Sequence, residues 1–242
     1  MRIDLLTLFP NFFQGPLAES IIGKAGEKGL VSISVHNIRD YAEPTSYQVD
    51  DYPFGGGAGM ILKIEPLAKA LGAVLPPAGT CRLILLSPEG RIFDQPYANE
   101  LAQAPHLVII AGHYKGFDER IRIKFRPEEI SIGDYVLTGG EIPALALIDS
   151  VVRLIPGVVG DEESVRTDSF QNGLLDHPHY TRPRSYEDME VPEVLISGNH
   201  EKIRLWRRKK SLERTLERRP DLLPAEKLSH EDQRLLEDTS LI

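Results

Sequence analysis

The chain is poor in cysteine, lacks any long apolar run, and carries no surplus of positive charge. Each scarcity removes a class of protein. One cysteine, Cys81, among 242 residues excludes an intramolecular disulfide, a cysteine-rich zinc site and a three-cysteine iron–sulfur cluster. Cys81 leads into the apolar run RLILLS and reads as a core residue rather than a nucleophile. No run of about 18 or more apolar residues is present, so no membrane span is expected. The opening MRIDLLTLFPNFF has a short apolar part and no small-residue cleavage signal. No secretory peptide is expected, and a cytoplasmic address is the default. There is no internal repeat and no low-complexity tract.

What is present is an ordinary globular composition, 41% hydrophobic and 26% charged. The length suits one large domain, or a large one with a small one. A net charge of −8 argues against a general nucleic-acid binder. Yet residues 199–219, NHEKIRLWRRKKSLERTLERR, hold nine Lys/Arg against three Glu. An acidic body with a basic helix near the C-terminus suggests a polyanionic partner; a solvated helical face is the bland alternative. Charge alone does not separate them.

The apolar pattern alternates between strand and helix. Strands are expected at 2–9, 31–38, 81–87, 106–112 and 128–136, the last running into a loop. Helices are expected at 16–29, 64–75, 95–104, 117–125 and 141–155. Continuously apolar strands between helices imply a parallel sheet covered on both faces, an α/β fold. The helix at 141–155 is apolar nearly all round, which points to the domain centre or a subunit interface. Residues 156–176 are polar with three glycines and read as a linker.

Two glycine-rich stretches compete as ligand loops. Gly55, Gly57 and Gly59 in GGGAGM resemble a nucleotide-binding turn, but such a turn follows a buried strand and opens a helix. Here it follows the polar DDYPF. The Rossmann reading is rejected in favour of a surface loop, or a loop that closes on a substrate. The other stretch, SIGDYVLTGGE (131–141), contains no Lys or Arg, unlike most phosphate cradles. It is one of three glycine-bearing turns, with LLSPEGR and IIAGHYKGFDER, that follow strand-like runs. Ligands of parallel sheets bind at the carboxyl ends of strands. Three converging turns, walled by Ile132, Tyr135 and Leu137, suit a flat base with hydrogen-bonding edges. DHPHYTRP offers Asp176, His177 and His179, but two histidines around a proline are not expected to converge, and no metal site is assigned.

The motifs SPEGR, GHYKGFDER, SIGDYVLTGGEIPALALIDSVVRLIPGVVG and DSF…GLLDHPHYTRP, in that order, resemble the bacterial tRNA (guanine-N1-)-methyltransferases of the TrmD type. FGGGAGM and RIDLLTLFPNFF fit as well, so the resemblance covers essentially the whole chain. It implies a SPOUT-type parallel sheet with a deep C-terminal trefoil knot at residues 1–160. A flexible linker at 161–175 and a small helical tRNA-binding domain at 176–242 complete it. It implies a homodimer, with the linker of one subunit closing over the cofactor of the other. The activity implied is methyl transfer from S-adenosylmethionine to N1 of the guanosine immediately 3′ of the tRNA anticodon. The cofactor is implied to touch Ser87, Pro88, Gly112, Tyr114, Gly116, Ile132, Gly133, Asp134, Tyr135, Val136, Leu137, Gly139, Gly140 and Pro143.

The chemistry requires little else. A sulfonium donor needs neither a metal nor a covalent intermediate. Guanine N1 carries a proton that a carboxylate can remove, and an Arg can stabilise the charge that spreads to the ring oxygen. The resemblance puts these roles on Asp168 and Arg153. For Asp168 a loop carboxylate or N-cap is the reading without the resemblance. A magnesium ion is left open: many relatives carry an acidic residue where this chain has Lys115, so a carboxylate that could help place the ion is missing there. His177 also departs from relatives and is assigned no role. The basic helix is expected to hold tRNA phosphates through Arg207, Arg208, Lys209 and Lys210. A ribose 2′-O-methyltransferase of the same fold and a non-catalytic RNA-binding factor are the rival readings.

Overall fold

The structure, a computed structural model, describes residues 1–77, 81–224 and 228–237. The described residues divide into two compact units, one up to Glu162 and one from Glu163 on.

In chain order the first unit contains β1 (Arg2–Thr7), α1 (Gln14–Ala18), α2 (Ser20–Glu27), β2 (Ser32–Asn37), β3 (Asp50–Asp51), β4 (Ile61–Leu62) and α3 (Ile64–Val74). It continues with β5 (Cys81–Ile92), α4 (Gln95–Leu101), β6 (His106–Ile110), α5 (Arg120–Phe125), β7 (Glu128–Ser131) and α6 (Glu141–Val152). Five strands form one sheet in the order β2-β1-β6-β5-β7, with every pairing parallel. The alternation of side chains divides the core in two. Ile3, Leu5, Ile84, Leu107 and Ile109 pack with α2, α4 and α6 on one face. Leu6, Leu85, Val108 and Ile110 pack with α3 and α5 on the other. Both faces are therefore dry, which is why these strands read as unbroken apolar runs.

The structure departs from the sequence pattern in places with identifiable causes. The helix expected at 16–29 is two helices, because Glu19 is extended and Ser20 has a φ of 55°. The strand expected to end at Ser87 runs to Ile92. Its register against β7 passes from Leu86↔Ile130 to Arg91↔Ile130, so residues 87–90 bulge out of the ladder. A Cβ on Gly90 would collide with the backbone of Glu129 and Ile130. Glycine is needed there for close approach. The strand expected at 128–136 ends at Ser131, where the glycine loop begins. The GGGAGM glycines lie in the connection between the short antiparallel strands β3 and β4, a hairpin rather than a strand-to-helix turn.

The second unit holds α7 (Glu162–Thr167), which falls where the sequence reads as linker, then β8 (Ser185–Tyr186), β9 (Met189–Glu190) and α8 (Glu193–Ile196). The long α9 (His200–Arg218) and α10 (His230–Glu237) follow. Leu174, Leu212, Leu223 and Leu235 form its small core.

Candidate active site

Three connections at the carboxyl ends of β5, β6 and β7 surround a cavity of about 300 Å³. The bulge of β5 contributes Ser87 and Pro88, and the loop after β6 contributes Gly112, Tyr114 and Gly116. The loop between β7 and α6 contributes Ile132, Gly133, Tyr135, Val136, Leu137, Gly139 and Gly140, and Pro143 follows in α6. Every cofactor position expected from the sequence lines this cavity except Asp134, whose side chain is exposed and is not part of the lining.

Main-chain contacts hold the loops together. Gly140 N–H donates to Gly112 O at 2.7 Å, and His113 and Gly139 form an isolated antiparallel bridge. A Cβ on Gly140 would lie 2.8 Å from Ala111 Cα and 2.8 Å from Gly112 N, and one on Gly139 would meet Glu141 Oε2. Neither has a positive φ; at Gly140 the approach to backbone requires glycine, whereas at Gly139 the nearest atoms are the ends of the Glu141 and His113 side chains. Gly133 differs, with a φ of 144° that strains any other residue.

Side chains that sequence reasoning left out also reach the cavity. His113 lines it, with its buried Nδ1 lacking a hydrogen-bond partner among the described residues and standing 3.9 Å from Glu141 Oε2. The buried Glu141 accepts from Thr7 Oγ1 at 2.9 Å through its other oxygen. His113 lies within the quoted GHYKGFDER motif, so its position in a glycine-bearing turn was the available signal. Lys115 and Arg122 line the cavity too, so cations are present although the loop 131–140 has none. Arg122 is engaged with Glu89, Glu119 and Glu129. Lys115 is exposed at the cavity, where it can meet an anionic group. An ammonium at this rim works against a second cation beside it, so the lining itself offers no support for magnesium.

A ligand without phosphate fits this donor set. Apolar walls come from Leu86, Ile130, Ile132 and Leu137, and five glycines are among the other lining residues. Such a surface suits a purine ring and a thioether or sulfonium chain. Lys115 suits a carboxylate.

Arg153 caps the C-terminal end of α6 and is half-buried. A cation is favoured there by the helix dipole alone. Asp168 belongs to the second unit, directly after α7, and is half-buried. Its carbonyl accepts from Gln171 N at 3.3 Å. The adjoining loop closes on itself through Phe170 N–H to Leu174 O at 2.7 Å.

The basic helix is less free than its charge suggests. Arg208 donates to Asp232 at 2.7 and 2.9 Å. Lys210 pairs with Glu213 at 2.8 Å, and Arg204 with Glu201 and Glu231. Lys209 is 2% exposed and 3.9 Å from Glu213. Of the four cations expected to face phosphate, Lys209 is buried, and Arg208 and Lys210 already hold carboxylates; Arg207 is exposed. The DHPHYTRP histidines depart from expectation in the other direction: the His177 and His179 rings converge, tilted at 45° with centroids 4.3 Å apart.

Over residues 1–225 the sequence matches the family model described as tRNA (Guanine-1)-methyltransferase TrmD. The chain belongs to this family. It is 55% identical to the tRNA (guanine-N(1)-)-methyltransferase of Moorella thermoacetica, over 99% of this chain and 97% of that protein. It is 56% identical to the protein of the same name from Carboxydothermus hydrogenoformans, over 98% and 92%. The Dictyoglomus turgidum protein of that name is 52% identical, over 98% and 96%. The matched residues include parts of both compact units. No helix among the described residues is long and apolar enough to cross a membrane.

Proposed function

We propose that the chain methylates N1 of the guanosine immediately 3′ of the anticodon in tRNA, with S-adenosylmethionine as donor. The family match through residue 225, across the strand ends that form the cavity, carries this reading. The donor supplies an activated methyl group when bound. The residues lining the cavity hold it: backbone of the 112–116 and 132–140 loops grips the purine, and Lys115 meets the carboxylate. Asp168 takes the N1 proton as general base. Arg153 stabilises the negative charge that develops on the guanine oxygen. The target base leaves its stack to be read, at a cost of a few kcal/mol that an unpaired loop lowers.

The finer architecture belongs to the same proposal. The chain segment after β7 passes beside the loop after β6, as the Gly140–Gly112 bond records, and we read this passage as part of a trefoil knot. Knots break the usual rule for connections. A homodimer is supported by α6, whose Ile142 is 51% exposed beside exposed Ala146 and half-buried Leu145. These three form one apolar stripe at helical spacing.

Asp168→Asn tests the chemistry. Turnover should fall about 10²–10⁴-fold, with affinity for S-adenosylhomocysteine near wild type by calorimetry. Single-turnover rates within a few-fold of wild type would remove Asp168 from the mechanism. The shared site is tested by subunit exchange between Asp168→Asn and Gly140→Val chains. Partial return of activity supports sites completed across the dimer. No return despite exchange verified by mass means each chain carries its own.

A further inference from the structure

The segment that opens the DHPHYTRP motif is fastened to α9 before it reaches the histidines. Leu175 N–H donates to Thr215 Oγ1 at 2.9 Å, and Leu175 O accepts from Ser211. Asp176 O accepts from Arg214 Nη1 at 3.0 Å, and Asp176 N–H donates to Ser169 Oγ at 2.9 Å. A carboxylate is thereby held at a fixed place ahead of the two histidines. His179 Nε2 lies 2.7 Å from its Oδ2, and His177 Nε2 lies 3.8 Å from its Oδ1. One donor atom from each of the three residues falls within 4.8 Å of the others.

The tautomer of His177 adds an independent constraint. Its Nδ1 sits 3.2 Å from Pro178 O, a contact that needs the proton on Nδ1. In the neutral ring Nε2 then carries the lone pair and faces the Asp176 carboxylate. A lone pair directed at a carboxylate is an arrangement that a cation completes.

We propose that Asp176, His177 and His179 bind a divalent transition-metal ion of the zinc class, with the remaining position open to solvent. Imidazole and carboxylate donors suit zinc rather than magnesium. Ligand atoms of a tetrahedral zinc site are roughly 3.4 Å apart, given bonds of about 2.0–2.2 Å. The present separations need shifts of about an ångström or so to reach that geometry. The Nδ1–H to Pro178 carbonyl bond is the kind of outer contact that orients a ligating histidine. On binding, Nε2 of His179 gives up its proton, to solvent or to Nδ1, and the bond to Asp176 is exchanged for coordination. An ion here would brace the loop from Ser169 to Asp176, directly after Asp168.

The full chain, stripped with a chelator and dialysed, is titrated with zinc chloride against a chromophoric chelator. One zinc ion per chain is expected, with tenfold or greater weakening in His177→Ala and in His179→Ala. His179 is 68% exposed, so its replacement leaves the fold intact, as far-UV circular dichroism checks. Trp206 is the one tryptophan, 6.5 Å from the His177 ring, and its emission should shift with zinc in the wild type and not in the variants. Excess magnesium should not displace the zinc. No competition with the chelator, or equal binding by the His177→Ala/His179→Ala chain, overturns the site and leaves an ion pair between Asp176 and His179. This outcome is independent of methyl transfer.

Discussion

The two compact units carry their working groups in opposite ways. In the first, the cavity is lined mainly by glycines and apolar residues, and few side chains in it bear charge. In the second, charged side chains crowd one helix, and most of them are already satisfied within the unit. The contrast teaches that glycine in a ligand loop marks where the backbone must approach another backbone. A count of basic residues says much less, because carboxylates of the same unit absorb them.

The largest effect should come from filling the approach. Gly140→Val drives a side chain into Ala111 and Gly112, whose backbone atoms cannot move aside without separating the loops. We expect S-adenosylhomocysteine affinity to fall by more than 100-fold while the circular dichroism of the chain persists. Gly57→Ala is the matched control. Gly57 has a φ of 117° but nothing within 4 Å of its missing Cβ. Backbone strain of about 1 kcal/mol should leave the affinity unchanged. Equal losses in both variants would mean that flexibility, not proximity, is what glycine supplies in the cavity loops.

A smaller and more divided effect is expected on the basic helix. Lys209→Ala removes a buried stem and the ammonium paired with Glu213. It should cost about 3 kcal/mol of stability, read as a lower melting temperature, with tRNA affinity of the folded chain retained. Arg207→Gln removes an exposed cation. It should leave stability alone and reduce the slope of log K against log salt by nearly one unit. If Lys209→Ala changes the salt slope and Arg207→Gln does not, the assignment of structural and RNA-facing cations is reversed.

This division marks where the sequence stops being legible. The strand-to-glycine turns are local, and strand ends of a parallel sheet share one side, so the three turns and Ile132, Tyr135 and Leu137 could be gathered from the pattern, whereas the rest of the cofactor positions came from the family resemblance. Arg122 reaches the cavity from α5, and only the packing of α5 beside β7 brings it there. Asp134 sits between Gly133 and Tyr135, both in the lining, but faces solvent. The pairing of Lys210 with Glu213 is visible at i,i+3. The Arg208–Asp232 bond joins two helices 24 residues apart in sequence and leaves no local trace. The histidines misled for another reason: proline between them suggested divergence, whereas the fold brings the two rings together.

The smallest effect concerns that Arg208–Asp232 bond, and it can be read from acid. The Asp232 carboxyl is lowered to about 2, first by the hydrogen bonds from Arg208, against the opposing effect of burial, with Ser229 helping. A carboxyl lowered on folding adds stability that is complete above its ordinary value near 4. That stability is lost as the pH falls from there towards 2. The shift corresponds to about 2 kcal/mol, concentrated where α10 meets α9. Trp206 lies on α9 and reports this unit. Acid unfolding followed by its emission should therefore steepen below about pH 4 in the wild type. In Asp232→Asn the stability at neutral pH should be lower and the dependence between pH 4 and pH 2 flatter. Were the variant to keep the wild-type slope, the acid-sensitive contacts would lie elsewhere than at the Arg208–Asp232 bond.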